Sequence, residues 1–179
     1  LLNGKEITDA LLTPGTGEYG KHLSVQTCDV SQFVRVGSNE IQVTLGDGWY
    51  RSTSGVDGDR NLFGNDISLL LQMESHGTIL VKSDVSWQGS TNGPIRMNDL
   101  QQGEVYDAQK ETIEDWHEVK VLSFGYDNLT GTDTLPIKGH EVFDGKILHT
   151  SNGETVIDFQ QNLAGQIKLH VNAHAGDKI

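Results

Sequence analysis

Ile67-Ser68-Leu69-Leu70-Leu71-Gln72-Met73 and, after Glu74-Ser75-His76-Gly77, Thr78-Ile79-Leu80-Val81-Lys82 form the stretch that decides the fold. The first run is too short for an ordinary helix. Turn residues bound it on both sides, Gly64-Asn65-Asp66 before it and Ser75-His76-Gly77 after it. It reads as strand, tight turn, strand. The uninterrupted Leu69-Leu70-Leu71 predicts that the first strand is buried on both faces, with Thr78 to Lys82 as its hairpin partner.

Working outward, period-2 alternation recurs and the helical period does not. Ile41, Val43 and Leu45 alternate with Gln42 and Thr44; Ile167, Leu169 and Val171 alternate with Gln166, Lys168 and His170. Leu23 to Thr27, Glu118 to Leu122 and Thr155 to Phe159 complete the predicted strands. Asp29 can cap one helical turn through Ser31-Gln32-Phe33-Val34, ended by Gly37. The composition agrees: five alanines stand against 25 valines and isoleucines, and 21 glycines supply turns. The predicted class is all-β, an antiparallel β-sandwich of jelly-roll type with few or no helices beyond single turns.

At 179 residues and 19.6 kDa the chain is about one domain and a fraction. Asn128 to Thr134 is polar and turn-rich, and Pro136 follows it. The expected organisation is a sandwich over 1–135 and the truncated start of a second β-domain over 136–179. Leu1-Leu2-Asn3-Gly4-Lys5 opens as strand and tight turn with no partner before it. Gly176-Asp177-Lys178-Ile179 leaves a strand just starting. Both ends read as cut, as in a piece of a longer protein.

The net charge of −12 repels nucleic acid and anionic membrane surfaces, so neither is an expected partner. Neutral ligands such as sugars remain. The longest run of large apolar residues is three, so nothing in the sequence spans a bilayer as a helix. No basic segment followed by an apolar run opens the chain, and Cys28 stands alone without a disulfide partner; the lean is to the cytoplasm.

Catalytic motifs are scarce. His170 and His174 lie four apart on a predicted strand, which separates them by about 13 Å, too far for one metal. Cys28 has no base beside it. The acid pairs Glu104/Asp107 and Glu114/Asp115 have the residue type that glycosidases use, but 25 acids make such neighbours by chance. The segment from Asp47 to Asp66 is richer. Trp49 and Tyr50 offer aromatic faces, while Asp47, Arg60 and Asn61 offer paired hydrogen-bonding groups, which is the mixture a sugar pocket needs and also the mixture of an ordered interface loop. Asp57, Asp59 and Asn61 have the 1, 3, 5 oxygen spacing of a calcium loop. The EF-hand pattern then fails at Leu62 and Ser68. Calcium is a candidate cofactor, and none is required.

Leu45-Gly46-Asp47-Gly48-Trp49-Tyr50-Arg51 resembles the signature of the N-terminal β-sandwich domain of bacterial α-L-rhamnosidases. Asn3-Gly4-Lys5 is similar to that domain's NGK turn. Thr13-Pro14-Gly15 with Tyr19, and Gln26-Thr27-Cys28-Asp29-Val30, resemble its TPGWT-Y and YQTYDV stretches. Gly37 to Ile41 loosely resembles its G-E-N pattern. Arg60-Asn61-Leu62-Phe63-Gly64 is similar to RNLYG, and Asp99-Leu100 with Gly103-Glu104-Val105-Tyr106-Asp107-Ala108 to DL-x-x-GE-x-YDAR. Asp158 to Gly165 resembles the DFGQN-x-AG that opens the next β-domain. The order is right across nearly the whole chain. Thr16, Cys28, Gln109 and Gln160 replace a tryptophan, a tyrosine, an arginine and a glycine of those motifs.

The resemblance implies a parent enzyme that hydrolyses terminal α-L-rhamnose with inversion, using acids on an (α/α)₆ barrel absent from this sequence. The expected role here is a non-catalytic structural or accessory module, with the catalytic domain of the same polypeptide as partner. The alternative is an autonomous carbohydrate-binding module for rhamnose or a related glycan, with or without the help of calcium. Candidate sugar-binding residues are Asp47, Trp49, Tyr50, Arg60, Asn61, Asp99, Glu104, Tyr106 and Asp107; candidate calcium ligands are Asp57, Asp59 and Asn61. Glu104 or Asp107 is expected to lie beside Arg51 or Arg60, because a buried carboxylate needs such a partner.

Overall fold

The computed structural model describes residues 1–174, 176 and 177. The protein is all-β. Among the described residues ten short strands pair into five two-stranded ladders, and the helical content is one α turn and one 3₁₀ turn. β1 (Leu23–Val25) runs parallel to β8 (Leu129–Gly131). The other ladders are antiparallel: β2 (Gln72–Ser75) with β3 (Thr78–Lys82), β4 (Gln88–Gly89) with β7 (His117–Glu118), β5 (Ile95–Asp99) with β6 (Gly103–Tyr106), and β9 (Lys146–His149) with β10 (Thr155–Asp158).

The chain forms two units. The first comprises 1–8 and 12–136, and the second 9–11 and 137–179. Thr8 and Asp9 therefore part company early in the chain. An isolated bridge between Leu11 and Ile137 ties the short piece into the second unit.

The hairpin that decided the class forms as expected. His76 and Gly77 both take left-handed φ values, 48° and 76°, as a two-residue hairpin turn requires. The strand before it differs from expectation. Its regular ladder begins only at Gln72, although Ser83 N–H still donates to the Leu71 carbonyl and Leu71 N–H to the Ser83 hydroxyl. Ile67, Leu69, Leu71 and Met73 are half-buried, while Ser68 and Leu70 between them are exposed. One face is therefore covered and not two, and Leu70 is 50% exposed. A run of leucines cannot by itself distinguish these cases.

The other differences have similar causes. Ile41 makes only a single bridge, to Leu2, and the Gln166–Val171 alternation is not assigned as strand. The turn after Asp29 stays a turn: Asp29 caps Ser31 N–H at 2.9 Å but no helical ladder follows. The polar, turn-rich stretch before Pro136 contains β8, because Asn128 and Thr132 anchor its ends to Leu23 and Val25. The strand start expected at Gly176 to Ile179 runs into Lys178 and Ile179, which lie outside the described residues.

Leu2 does have partners. Asn3 and Gly4, at φ 53° and 76°, turn the chain so that Leu2 bridges both Lys5 and Ile41. Leu2 is the one buried large apolar side chain among the described residues, at 3% exposure. The remaining buried residues are Ser52, Thr53 and Asp99. The best-shielded part of the first unit is thus a polar cluster, and it lies in the segments that the sequence singled out.

Candidate functional site

The polar cluster is built by two local structures. The first is α1 (Gly48–Arg51), a single turn in which Arg51 and Ser52 N–H donate to the Asp47 and Gly48 carbonyls. Asp47 and Arg51 are four apart and therefore on one face. The Arg51 guanidinium grips Asp47 Oδ1 through Nε at 2.8 Å and Nη2 at 2.6 Å. Its Nη1 donates to the Asn65 carbonyl at 2.9 Å, so the same side chain spans the loop from one end to the other.

The second structure is the turn between β5 and β6. Asp99 ends β5, and its Oδ1 accepts from Gln101 and Gln102 N–H at 2.9 and 3.0 Å. Gly103 completes the turn at φ 88°. Asp99 Oδ2 reaches the other way and accepts from Thr53 N–H and Thr53 Oγ1 at 2.8 and 3.0 Å. Leu100 N–H donates to Ser52 Oγ at 3.1 Å, closing the same seam. Arg60 bridges the two structures: Nη2 is 2.8 Å from Asp47 Oδ2 and 3.4 Å from Asp99 Oδ2.

Two carboxylates and two guanidiniums balance in charge. The Asp99 side chain has no exposed surface, while Arg60 keeps 44% of its side chain in solvent. Burial alone raises the Asp99 carboxyl. The N–H groups of Thr53, Gln102 and Gln101 and the Thr53 hydroxyl outweigh it and hold the group far below its ordinary value of 3.8. A glycosidase general acid needs the opposite shift, because it must carry a proton near neutral pH. Asp99 is an anchor and not an acid.

Of the predicted sugar-binding residues, Asp47, Arg60 and Asp99 are brought together. Asn61 joins through its backbone, its N–H donating to the Arg51 carbonyl at 3.2 Å. Trp49 stands on α1, 41% exposed. Tyr50 faces elsewhere, into an aromatic group with Tyr19 (centroids 5.3 Å) and Phe63 (6.3 Å). Tyr19 and Phe63 are 4.9 Å apart. Tyr19 O–H donates to the Gly15 carbonyl at 2.6 Å, and burial raises its pKa.

Glu104, Tyr106 and Asp107 are not in the cluster. The arginine pairs expected of Glu104 or Asp107 are made by Asp47 and Asp99. Glu104 instead accepts from Asn98 Nδ2 at 2.9 Å. Tyr106 O–H donates to Glu111 at 2.9 Å. Asp107 caps the 3₁₀ turn Ala108–Lys110, accepting from Gln109 N–H at 3.0 Å. The chain leaves β6 with an acid whose hydrogen bonding is spent locally, so it has no need of a distant cation. Of the other pair, Asp115 accepts from Ser90 Oγ at 3.0 Å.

Asp57 and Asp59 sit in a tight turn closed by Ser54 N–H on the Asp59 carbonyl at 2.7 Å. Gly55, Gly58 and Asn61 take positive φ there. Among the described residues no three His, Cys, Asp or Glu side chains are placed to hold a metal ion. Ser52 and Thr53 were missed by the sequence reading. Their signal was faint: two small hydroxyl residues directly after the arginine of a helical turn.

This is an all-β module whose most buried polar groups lock loops together, and no described helix is long and apolar enough to cross a membrane. The Alpha-L-rhamnosidase N-terminal domain family matches residues 1–145. The chain is 32% identical to an alpha-L-rhamnosidase of Streptomyces avermitilis over 99% of its own length and 18% of the relative's. It is 30% identical to an alpha-L-rhamnosidase of Formosa agariphila over 99% of this chain and 21% of that one. The crystal structure of the native α-L-rhamnosidase from Aspergillus terreus matches with a TM-score of 0.79 and 30% identity, covering 91% of this chain and 20% of that one. The chain belongs to the α-L-rhamnosidase N-terminal domain family, and it spans about a fifth of the length of these relatives.

Proposed function

We propose that this chain is the non-catalytic N-terminal β-module of an inverting α-L-rhamnosidase, whose catalytic acids lie elsewhere in the same polypeptide. One observation carries the reading: relatives align over almost all of this chain, yet the alignment uses only about a fifth of each of them. The cluster chemistry supports it. Asp47 is paired with Arg51 and Arg60, and Asp99 is held ionised, so Asp99 is not available to protonate a leaving group. The test is hydrolysis of p-nitrophenyl α-L-rhamnoside. The 179-residue chain alone is expected to show no turnover, and the complete gene product is expected to release β-rhamnose first by NMR. Turnover by the chain alone sinks the reading.

A second reading is sugar binding by the module itself. It is favoured by Trp49, exposed on the same turn that holds Asp47, with the half-exposed Arg60 at the rim. An aromatic face can stack on the C–H face of a neutral sugar while the guanidinium hydrogen-bonds hydroxyls. Calorimetric titration with rhamnose, with and without calcium, separates the readings. A structural module shows no saturable heat at millimolar sugar. Binding that survives alanine at each of Trp49, Asp59, Asn61 and Glu104 removes these residues from any site.

A further inference from the structure

The chain carries three Asn-Gly pairs, at Asn3-Gly4, Asn92-Gly93 and Asn152-Gly153. This dipeptide is chemically labile. With no side chain on the glycine, its backbone nitrogen can reach the asparagine Cγ and displace ammonia. Two conditions decide which pair reacts in a folded chain. The amide side chain must be free to turn towards the glycine nitrogen, and the backbone must open locally into the ring geometry.

The structure separates the three pairs on both conditions. Asn3 is locked. Its Nδ2 donates to the Phe33 carbonyl and to Asn39 Oδ1, both at 2.9 Å, and its Oδ1 accepts from Glu40 N–H at 3.0 Å. Asn92 is partly held. Its Oδ1 accepts from Lys110 Nζ at 3.0 Å, and Gly93 packs against Ile113. Asn152 has neither restraint. Its side chain makes no hydrogen bond among the described residues, and both Asn152 and Gly153 are exposed.

Asn152 sits in the three-residue loop Ser151-Asn152-Gly153 that joins β9 to β10. Thr150 N–H donates to the Glu154 carbonyl and Gly153 N–H to the Thr150 carbonyl, both at 3.0 Å, and Gly153 takes φ 84°. This is a type I turn closed by a left-handed glycine. The Gly153 hydrogen bond must break before its nitrogen can attack. It belongs to an exposed two-stranded hairpin, the kind of element that opens at little cost.

We propose that Asn152-Gly153 is a site of spontaneous modification, and that its iso-aspartyl product dismantles the hairpin turn. The Gly153 nitrogen gives its proton to hydroxide and bonds to Asn152 Cγ; the Cγ–Nδ2 bond breaks and ammonia leaves. The resulting cyclic imide takes up one water, and nothing is oxidised or reduced. Opening at Cγ gives aspartate on an unchanged backbone. Opening at the main-chain carbonyl gives iso-aspartate, in which the chain runs through Cγ and is one methylene longer. A three-residue loop has no slack for an added backbone atom, so the closure of Thr150 on Glu154 and the register beyond it are lost. The inference is independent of the enzymatic reading.

Site-resolved peptide mapping by mass spectrometry tests it, on the 179-residue chain aged at neutral pH in buffer and, as the reference for intrinsic reactivity, in urea. Asn152 is expected to react in buffer at close to its urea rate, and Asn3 to be slowed about tenfold or more by its hydrogen bonds. Asn152→Gln, which would have to close a larger ring, should abolish modification at this position and keep the hairpin. Asn152→Asp supplies the new charge without the extra backbone atom. By NMR, the cross-strand contact between His149 and Thr155 should survive in Asn152→Asp and vanish in the iso-aspartyl fraction. Slowing at Asn152 equal to that at Asn3 overturns the site, as does a faster reaction at Asn92. An iso-aspartyl fraction that keeps the His149–Thr155 contact overturns the structural consequence.

Discussion

Asp99 ties together two separate segments of the first unit. Its two oxygens accept from Thr53, Gln101 and Gln102, and Arg60 lies at 3.4 Å. Asp99→Ala strands these donors in a buried seam, and a drop in Tm of roughly 10 °C is expected by calorimetry. Asp107→Ala removes only a solvent-exposed cap and is expected to cost about 2 °C. The pH dependence follows from the direction of the Asp99 shift. Burial opposes ionisation, and the hydrogen bonds from Thr53, Gln102 and Gln101 overcome it, so the folded pKa lies below the unfolded one. The unfolded chain then binds more protons between those values, and stability falls as the pH falls through that window. The contribution is complete above the ordinary value of 3.8 and drains away below it. Thermal melts from about pH 6 to about pH 3 should show a steeper acid limb in the wild type than in Asp99→Asn. Parallel limbs would remove Asp99 from the acid response. At Gly64 the constraint is space: a Cβ there would overlap the Tyr50 hydroxyl. Gly64→Ala is expected to displace Tyr50 from its packing with Tyr19 and Phe63, weakening the near-UV tyrosine dichroism.

At the scale of elements, short-range signals were legible and long-range ones were not. The β2–β3 hairpin could be read because its alternation and its His76-Gly77 turn lie within a dozen residues. The turn itself makes a prediction. Asn tolerates left-handed φ better than His and is favoured before Gly in such turns, so His76→Asn should raise stability by about 0.5 kcal/mol in chemical denaturation. No change would mean that the His76 side chain makes compensating contacts. The β5–β6 hairpin was invisible as a pair of strands. Ile95-Arg96-Met97-Asn98-Asp99 lacks clean alternation, and its ladder slips register between Ile95 and Met97. β1 and β8 are about a hundred residues apart, and nothing local in either one announces a parallel partner. The candidate site was half legible for the same reason. Asp47, Arg51 and Arg60 are close in sequence, and the loop's composition marked them. Their junction with Asp99, Ser52 and Thr53 depends on a contact spanning nearly fifty residues, so Glu104 and Asp107 were given the partners that Asp99 and Asp47 hold.

At the scale of the molecule, stability is unevenly distributed between the two units. The first unit concentrates its shielding at Leu2 and at the Ser52–Thr53–Asp99 seam. It also carries a net −10, because the second unit holds only −2 of the total. The second unit contains no buried described residue. Amide exchange reports local opening, and its protection rises with the burial and hydrogen bonding of each amide. The amides of Thr53, Gln101 and Gln102 donate to a buried carboxylate and should be among the slowest in the chain. Those of Lys146 to His149 and Thr155 to Asp158 lie in an exposed two-stranded hairpin, and should exchange orders of magnitude faster. Asp99→Ala should then accelerate the slow set, whose hydrogen bonds end on that carboxylate, and leave the fast set unchanged. If the hairpin amides of the 179-residue chain are instead as slow as Thr53, the second unit has a source of stability that burial does not account for, and the ranking of the two units is wrong.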